Sequence, residues 1–174
     1  WYINYLTPAV SKNWDMFWES DELQMHYALS WKKVAEVFKD YEMVAGYEIM
    51  NEPYWGSKNT FIAEFEVKYL LPFYERVIKE IRKVDPHHII FIEPSVIKGS
   101  GLRSFIRGFS DKNVAYFPHY YDPAVLWVYP YDGNDRRTRN AVITMLEEAK
   151  RNGFALLVGE WGILLNTCLL YTSP

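Results

Sequence analysis

Four short apolar runs, Val44–Met50, His88–Glu93, Asn113–Pro118 and Phe154–Glu160, alternate along the chain with stretches of helical period. Apolar runs of this length, bounded by turn residues, read as buried strands, and the helices between them as crossovers. The alternation predicts an α/β fold with a parallel sheet covered on both faces. Tyr27, Trp31, Val34, Ala35 and Phe38 recur at helical spacing and predict a helix over 22–39, with Asp21 as its N-cap. Leu70, Phe73, Tyr74, Val77, Ile78 and Ile81 predict a second over 60–84, kinked or broken at Pro72. Val142, Leu146 and Ala149 predict a third over 139–152, stopped by Gly153. Residues 1–20 read as a loop with one helical turn near Trp14–Trp18, and residues 122–137 as a polar loop. Four βα units are half of a (β/α)₈ barrel, which takes ~250 residues. They form either an open sheet or a piece of something larger.

Composition removes several classes of function. Lys plus Arg is 19 and Asp plus Glu is 22, a formal charge of −3, so there is no electrostatic footprint for nucleic acid. No apolar run approaches the ~18 residues of a membrane span. One cysteine, Cys168, excludes a disulfide framework and a thiolate zinc site. Neighbouring residues on a strand point to opposite faces, which makes His87 and His88 poor joint ligands, and no metal or cofactor is expected. Aromatic residues are abundant (seven Trp, fourteen Tyr, ten Phe), and flat rings with a polar edge suit a sugar as well as a core.

Each predicted strand ends in polar chemistry. The first runs into Asn51-Glu52-Pro53, the second into Glu93-Pro94, the third into His119-Tyr120-Tyr121 and the fourth into Glu160-Trp161-Gly162. The C-terminal ends of parallel strands are where such folds carry their active sites. Two carboxylates on one rim suit glycoside hydrolysis, in which one protonates the leaving oxygen and the other attacks the anomeric carbon or activates water. A separation of ~5 Å would mean retention, and ~6.5–9.5 Å inversion.

The string Gly46-Tyr47-Glu48-Ile49-Met50-Asn51-Glu52-Pro53, the stretch Pro118-His119-Tyr120-Tyr121-Asp122 and the closing Gly159-Glu160-Trp161-Gly162 resemble glycoside hydrolase family five, among the retaining (β/α)₈ hydrolases. They are most similar to its endoglycoceramidase-like branch. The resemblance implies that residues 1–163 are part of a (β/α)₈ catalytic domain, covering about four central units, the fourth to seventh strands. It implies Glu52 as general acid/base and Glu160 as nucleophile. It places Asn51 on the sugar 2-hydroxyl, Tyr121 on Glu160 and His119 in the sugar subsite. The substrate implied is a β-glycoside, with glycosphingolipid-like glycolipids favoured. Secretion is suggested by the resemblance alone.

Trp55 and Trp161, beside the two carboxylates, are candidate sugar platforms, and Glu93 a candidate substrate contact. Trp14, Trp18 and Trp31 read as packing. Glu48, inside a strand, reads as a structural carboxylate that needs partners. The family's earlier strands and its last one have no counterpart here, and the chain opens on Trp1. It is therefore read as part of a longer protein. Its end, from Cys168 to Pro174, resembles a translated sequencing adaptor, so 164–174 is read as a non-native tail. Alone, such a half-barrel would leave sheet edges unpaired and is expected to be inactive. Alternative functions are an endo-β-glucanase or mannanase acting on polysaccharide, and a non-catalytic sugar-binding relic. A flavodoxin-like domain would need a Gly-rich phosphate loop that the sequence lacks.

Overall fold

The computed structural model describes residues 2–5, 7–57, 61–124 and 133–162. Parts of the 122–137 loop, and the expected tail at 164–174 with Cys168, lie outside them. The elements run α1 (Tyr2–Tyr5), α2 (Pro8–Glu19), α3 (Asp21–Phe38), β1 (Gly46–Glu48), α4 (Ile62–Phe65), a π-helical turn (Glu66–Leu70), α5 (Leu71–Arg82), β2 (Ile89–Ile92), a 3₁₀ turn (Val96–Ser100), β3 (Val114–Tyr116), α6 (Asp135–Asn152) and β4 (Ala155–Leu156).

The strands pair in parallel and in chain order, β1-β2-β3-β4. Tyr47 lies opposite Ile90, Ile90 opposite Val114, and Tyr116 opposite Leu156. A doubly wound sheet reverses its order at a switch point. This sheet does not reverse among the described residues, and α2, α3 and α5 pack on the same face of it, as in a barrel wall.

Burial alternates along β1 and β2 instead of being continuous. Tyr47, Ile90 and Ile92 are buried under α2, α3 and α5 together with Trp18, Phe65, Leu70, Phe73, Tyr74, Val77 and Ile81. Gly46, Glu48, Ile89 and Phe91 on the opposite face are only half-buried. The expectation of strands buried on both faces holds only for β3.

Three local expectations are corrected. The N-terminal segment is a full helix, α2, started by Pro8, whose missing N–H costs nothing in a first turn. The N-cap of α3 is Ser20, whose hydroxyl accepts from Leu23 N, one residue before the expected Asp21. In α6 the buried residues are Ala141, Met145, Glu148 and Ala149, while Val142 and Leu146 are exposed. The helix is rotated to bury a charged side chain. Pro72 falls in the first turn of α5, and the π turn before it absorbs the break, with Leu71 N–H reaching Glu66 O.

That turn points Glu66 inward, where its carboxylate accepts from the backbone N–H and hydroxyl of Ser95, from the Ser104 hydroxyl and from Phe105 N. Beside it, Glu148 of α6 pairs with buried Lys98 at 2.7 Å and accepts from Ser104 N and Tyr116 Oη. These two carboxylates fasten the long β2–β3 connection to the outer helices.

Candidate active site

The site is assembled where the strands run out. Hydrogen bonds continue past the formal strand ends, from Ile49 N to Phe91 O, Phe117 N to Ile92 O, Gly159 N to Pro118 O and Tyr120 N to Glu160 O. These bonds extend the register onto the polar residues. A Cβ on Gly159 would lie 2.4 Å from the Phe117 ring, so a larger residue there would have to displace that ring. Glu52 has a left-handed backbone, φ 44°, a conformation a non-glycine residue adopts at a cost of ~1–3 kcal/mol. The chain beyond it is held by Trp18, whose indole N–H donates to Tyr54 O at 2.7 Å.

His119 stands at the centre. Its Nδ1 lies 3.1 Å from Glu52 Oε1 and 3.4 Å from Glu160 Oε2, and its Nε2 lies 3.3 Å from Glu93 Oε1. One oxygen of Glu52 and one of Glu160 lie within 4.8 Å of each other. Tyr121 Oη donates to Glu160 Oε2 at 2.7 Å. Glu52, Glu93 and His119 are buried, whereas the Glu160 side chain is 44% exposed. Glu52 uses Oε1 on His119, and its Oε2 has no hydrogen-bond partner among the described residues.

Glu93 is 2% exposed, as buried as Glu52 and His119 beside it. Its Oε2 accepts from Glu52 N–H at 3.0 Å, and its carboxyl is hydrogen-bonded to that of Glu48. Burial, and then the bond to Glu48, push the Glu93 carboxyl up to about 10. Sequence reasoning missed Glu48 as a neighbour of the site. The period of two along a strand was the available signal, since Glu48, Phe91 and Glu93 share the face opposite Tyr47 and Ile90.

The remaining candidates are more loosely placed. Asn51 is exposed at the rim next to Glu52. Trp55 is half-buried and packs on Tyr54 with ring centroids 4.5 Å apart. Trp161 pairs its backbone with Tyr120 and leaves its ring 77% exposed. Trp14, Trp18 and Trp31 pack in or against the core. His88 is occupied by Asp85 at 2.7 Å. Two triads have ligand atoms spaced for a cation, Glu48-Glu93-His119 and Glu52-His119-Glu160, and both are this same cluster sharing one imidazole.

A family profile described as cellulase (glycosyl hydrolase family 5) matches residues 6–170. The chain belongs to that family. This family 5 chain is 33% identical over 138 residues to an endoglycoceramidase of Cyanea nozakii, a match covering 71% of the chain and 26% of that relative. It is 30% identical over 156 residues to a beta-xylosidase of Phanerodontia chrysosporium, covering 84% of the chain and 30% of the relative. Among solved structures, endo-glycoceramidase II from Rhodococcus sp. superposes with a TM-score of 0.85 at 28% identity, covering 95% of this chain and 41% of that one. Structures of that Rhodococcus enzyme include a ganglioside GM3 complex and a lactosyl-enzyme intermediate. The chain thus spans about a quarter of the first curated relative, and its four strands are part of a (β/α)₈ barrel.

Proposed function

We propose that the protein containing this chain is a retaining β-glycoside hydrolase acting on glycosylceramide-like glycolipids. The observation that carries this reading is the approach of Glu52 and Glu160 to within 4.8 Å, oxygen to oxygen, on adjoining strand ends. That approach is closer than the ~6.5–9.5 Å of an inverting pair and so favours a double displacement.

In the first step Glu160 attacks the anomeric carbon and the glycosidic C–O bond breaks. Glu52 delivers its proton to the departing oxygen. In the second step Glu52 takes a proton from water, the hydroxide oxygen bonds to the anomeric carbon, and the Glu160 carboxylate is released. Glu52 suits the acid role because it is buried with Oε2 unpartnered among the described residues. Glu160 suits the nucleophile role because it is the more exposed of the two and receives the Tyr121 hydroxyl. His119 Nδ1 is hydrogen-bonded to Glu52 Oε1 and lies near Glu160, and Asn51 is at hand for the sugar. The lipid preference rests on similarity to endoglycoceramidases, one of which has been solved with ganglioside GM3.

Proton NMR of the reaction catalysed by the full-length protein tests both parts. A β-anomer released first from a β-linked glycosylceramide supports the reading. An α-anomer overturns retention. Turnover of cellulose or mannan but not of lipid glycosides replaces the substrate class, and sugar binding without turnover makes the protein a binding relic.

A further inference from the structure

Glu93 has no part in the two steps above, yet its carboxyl is bonded to the backbone of the acid/base. We infer that Glu93 is a positioning residue that holds the Glu52 backbone and backs the His119 ring. This inference rests on the proposed roles of Glu52 and Glu160 and adds a residue to that machinery.

Three observations carry it. First, Glu52 has a left-handed backbone at φ 44°, and its N–H donates to Glu93 Oε2 at 3.0 Å. A strained conformation persists only when its surroundings over-determine it, and this bond is one such constraint. Second, Glu93 Oε1 lies 3.3 Å from His119 Nε2, on the side of the ring opposite Glu52 and Glu160. The two atoms make no hydrogen bond, so Glu93 backs the Nε2 edge of the ring by close approach, while Nδ1 is bonded to Glu52 Oε1. Third, Glu93 is itself held. Tyr74 Oη donates to its backbone carbonyl at 2.8 Å, and Glu48 is hydrogen-bonded to its carboxyl. Tyr74 is buried in the core, so the chain of contacts runs from the helix layer through Glu93 to the acid/base.

The Glu93 carboxyl, raised to about 10, is protonated at neutral pH. A neutral carboxyl has one oxygen that accepts and one group that donates, which is also the inventory of glutamine. Glu93→Gln should therefore preserve the bonds to Glu52 N–H and to Glu48, whereas Glu93→Leu keeps the volume and removes them.

The test uses the full-length protein and two β-glycosides, one with a dinitrophenyl leaving group and one with an alkyl group. kcat/KM reports the steps through glycosyl-enzyme formation. In those steps only the alkyl substrate needs full proton donation from Glu52. A misplacement of the order of 1 Å costs about 100-fold. Glu93→Leu should thus lose about 100-fold in kcat/KM on the alkyl glycoside and less than about 5-fold on the dinitrophenyl glycoside. Glu93→Gln should stay within about 3-fold of the parent on both. Tyr74→Phe frees the Glu93 carbonyl without touching the site, and should show the same leaving-group selectivity at smaller amplitude, which keeps the test decisive if Glu93→Leu does not fold. Equal losses on the two substrates, or no loss, would overturn the positioning role while leaving the hydrolase reading intact. A parent protein with no activity on either glycoside would overturn both.

Discussion

Tyr121 donates its phenolic proton to Glu160 Oε2 across 2.7 Å, on the oxygen that also lies 3.4 Å from His119 Nδ1. The Tyr121 hydroxyl aims a carboxylate whose side chain is 44% exposed, and aim is what a nucleophile needs. A hydrogen bond to a charged group is worth about 1.5–3 kcal/mol. Tyr121→Phe in the full-length protein should lower kcat by roughly 10- to 100-fold, with little change in fold as read by circular dichroism. Parent-like kcat would show that the bond does not matter to the reaction.

The pairing of Lys98 with Glu148 concerns stability, not chemistry. Burial pulls the Lys98 ammonium down from its ordinary value, and Glu148 pulls it back up. Glu148→Leu removes the one carboxylate paired with that ammonium among the described residues and should cost about 3–5 kcal/mol of unfolding free energy. The double variant with Lys98→Met should recover a good part of it, because two matched apolar groups replace a matched ion pair. Denaturant unfolding of the three proteins checks this, and a double variant no better than the single one would contradict it.

Asp85 accounts for the acid sensitivity expected of the fold. Burial raises its carboxyl, but Tyr47 Oη, the backbone N–H groups of His88 and His87 and the His88 ring outweigh burial and hold it at about 2. The unfolded value is 3.8. A carboxyl depressed on folding stabilises the native state above its unfolded value and loses that contribution as pH falls through the folded one. The parent should therefore lose about 2 kcal/mol relative to Asp85→Asn between pH 5 and pH 2. Unfolding free energies of the two proteins measured across that range check it; a constant gap would contradict the assignment.

How much of this was legible in the chain depends on which physical signal each residue carried. Glu52, His119, Tyr121 and Glu160 follow apolar runs, and the parallel strands bring them to one rim, so their meeting could be read from position. Glu93 also follows an apolar run, and position alone put it on the rim. What position did not show is the pair of partners it finds there, Glu52 N–H and Glu48. Such partners come from distant parts of the chain and leave no local pattern. The face of α6 was misread for a related reason. Val142 and Leu146 mark an apolar stripe, but Lys98, Ser104 and Tyr116 bind Glu148 and rotate the helix by about a residue. Ser20 displaced Asp21 as a cap because both are good caps and only the backbone geometry chooses between them. The extent of α2 was hidden by its aromatic residues, which have no clean helical period but interlock with Phe65 and Phe73 once folded.

The central claim is that Glu160 forms a covalent bond to the sugar while Glu52 manages the proton. A 2-deoxy-2-fluoro β-glycoside with a dinitrophenyl leaving group slows breakdown of the glycosyl-enzyme more than its formation, so the intermediate accumulates. Incubation with the full-length protein, followed by digestion and mass spectrometry, reads the labelled residue directly. The expected result is one fluoroglycosyl group per protein, on the peptide containing Glu160 and absent from Glu160→Gln. Label on another residue, or no label in a protein that still turns over its substrate, would contradict the account.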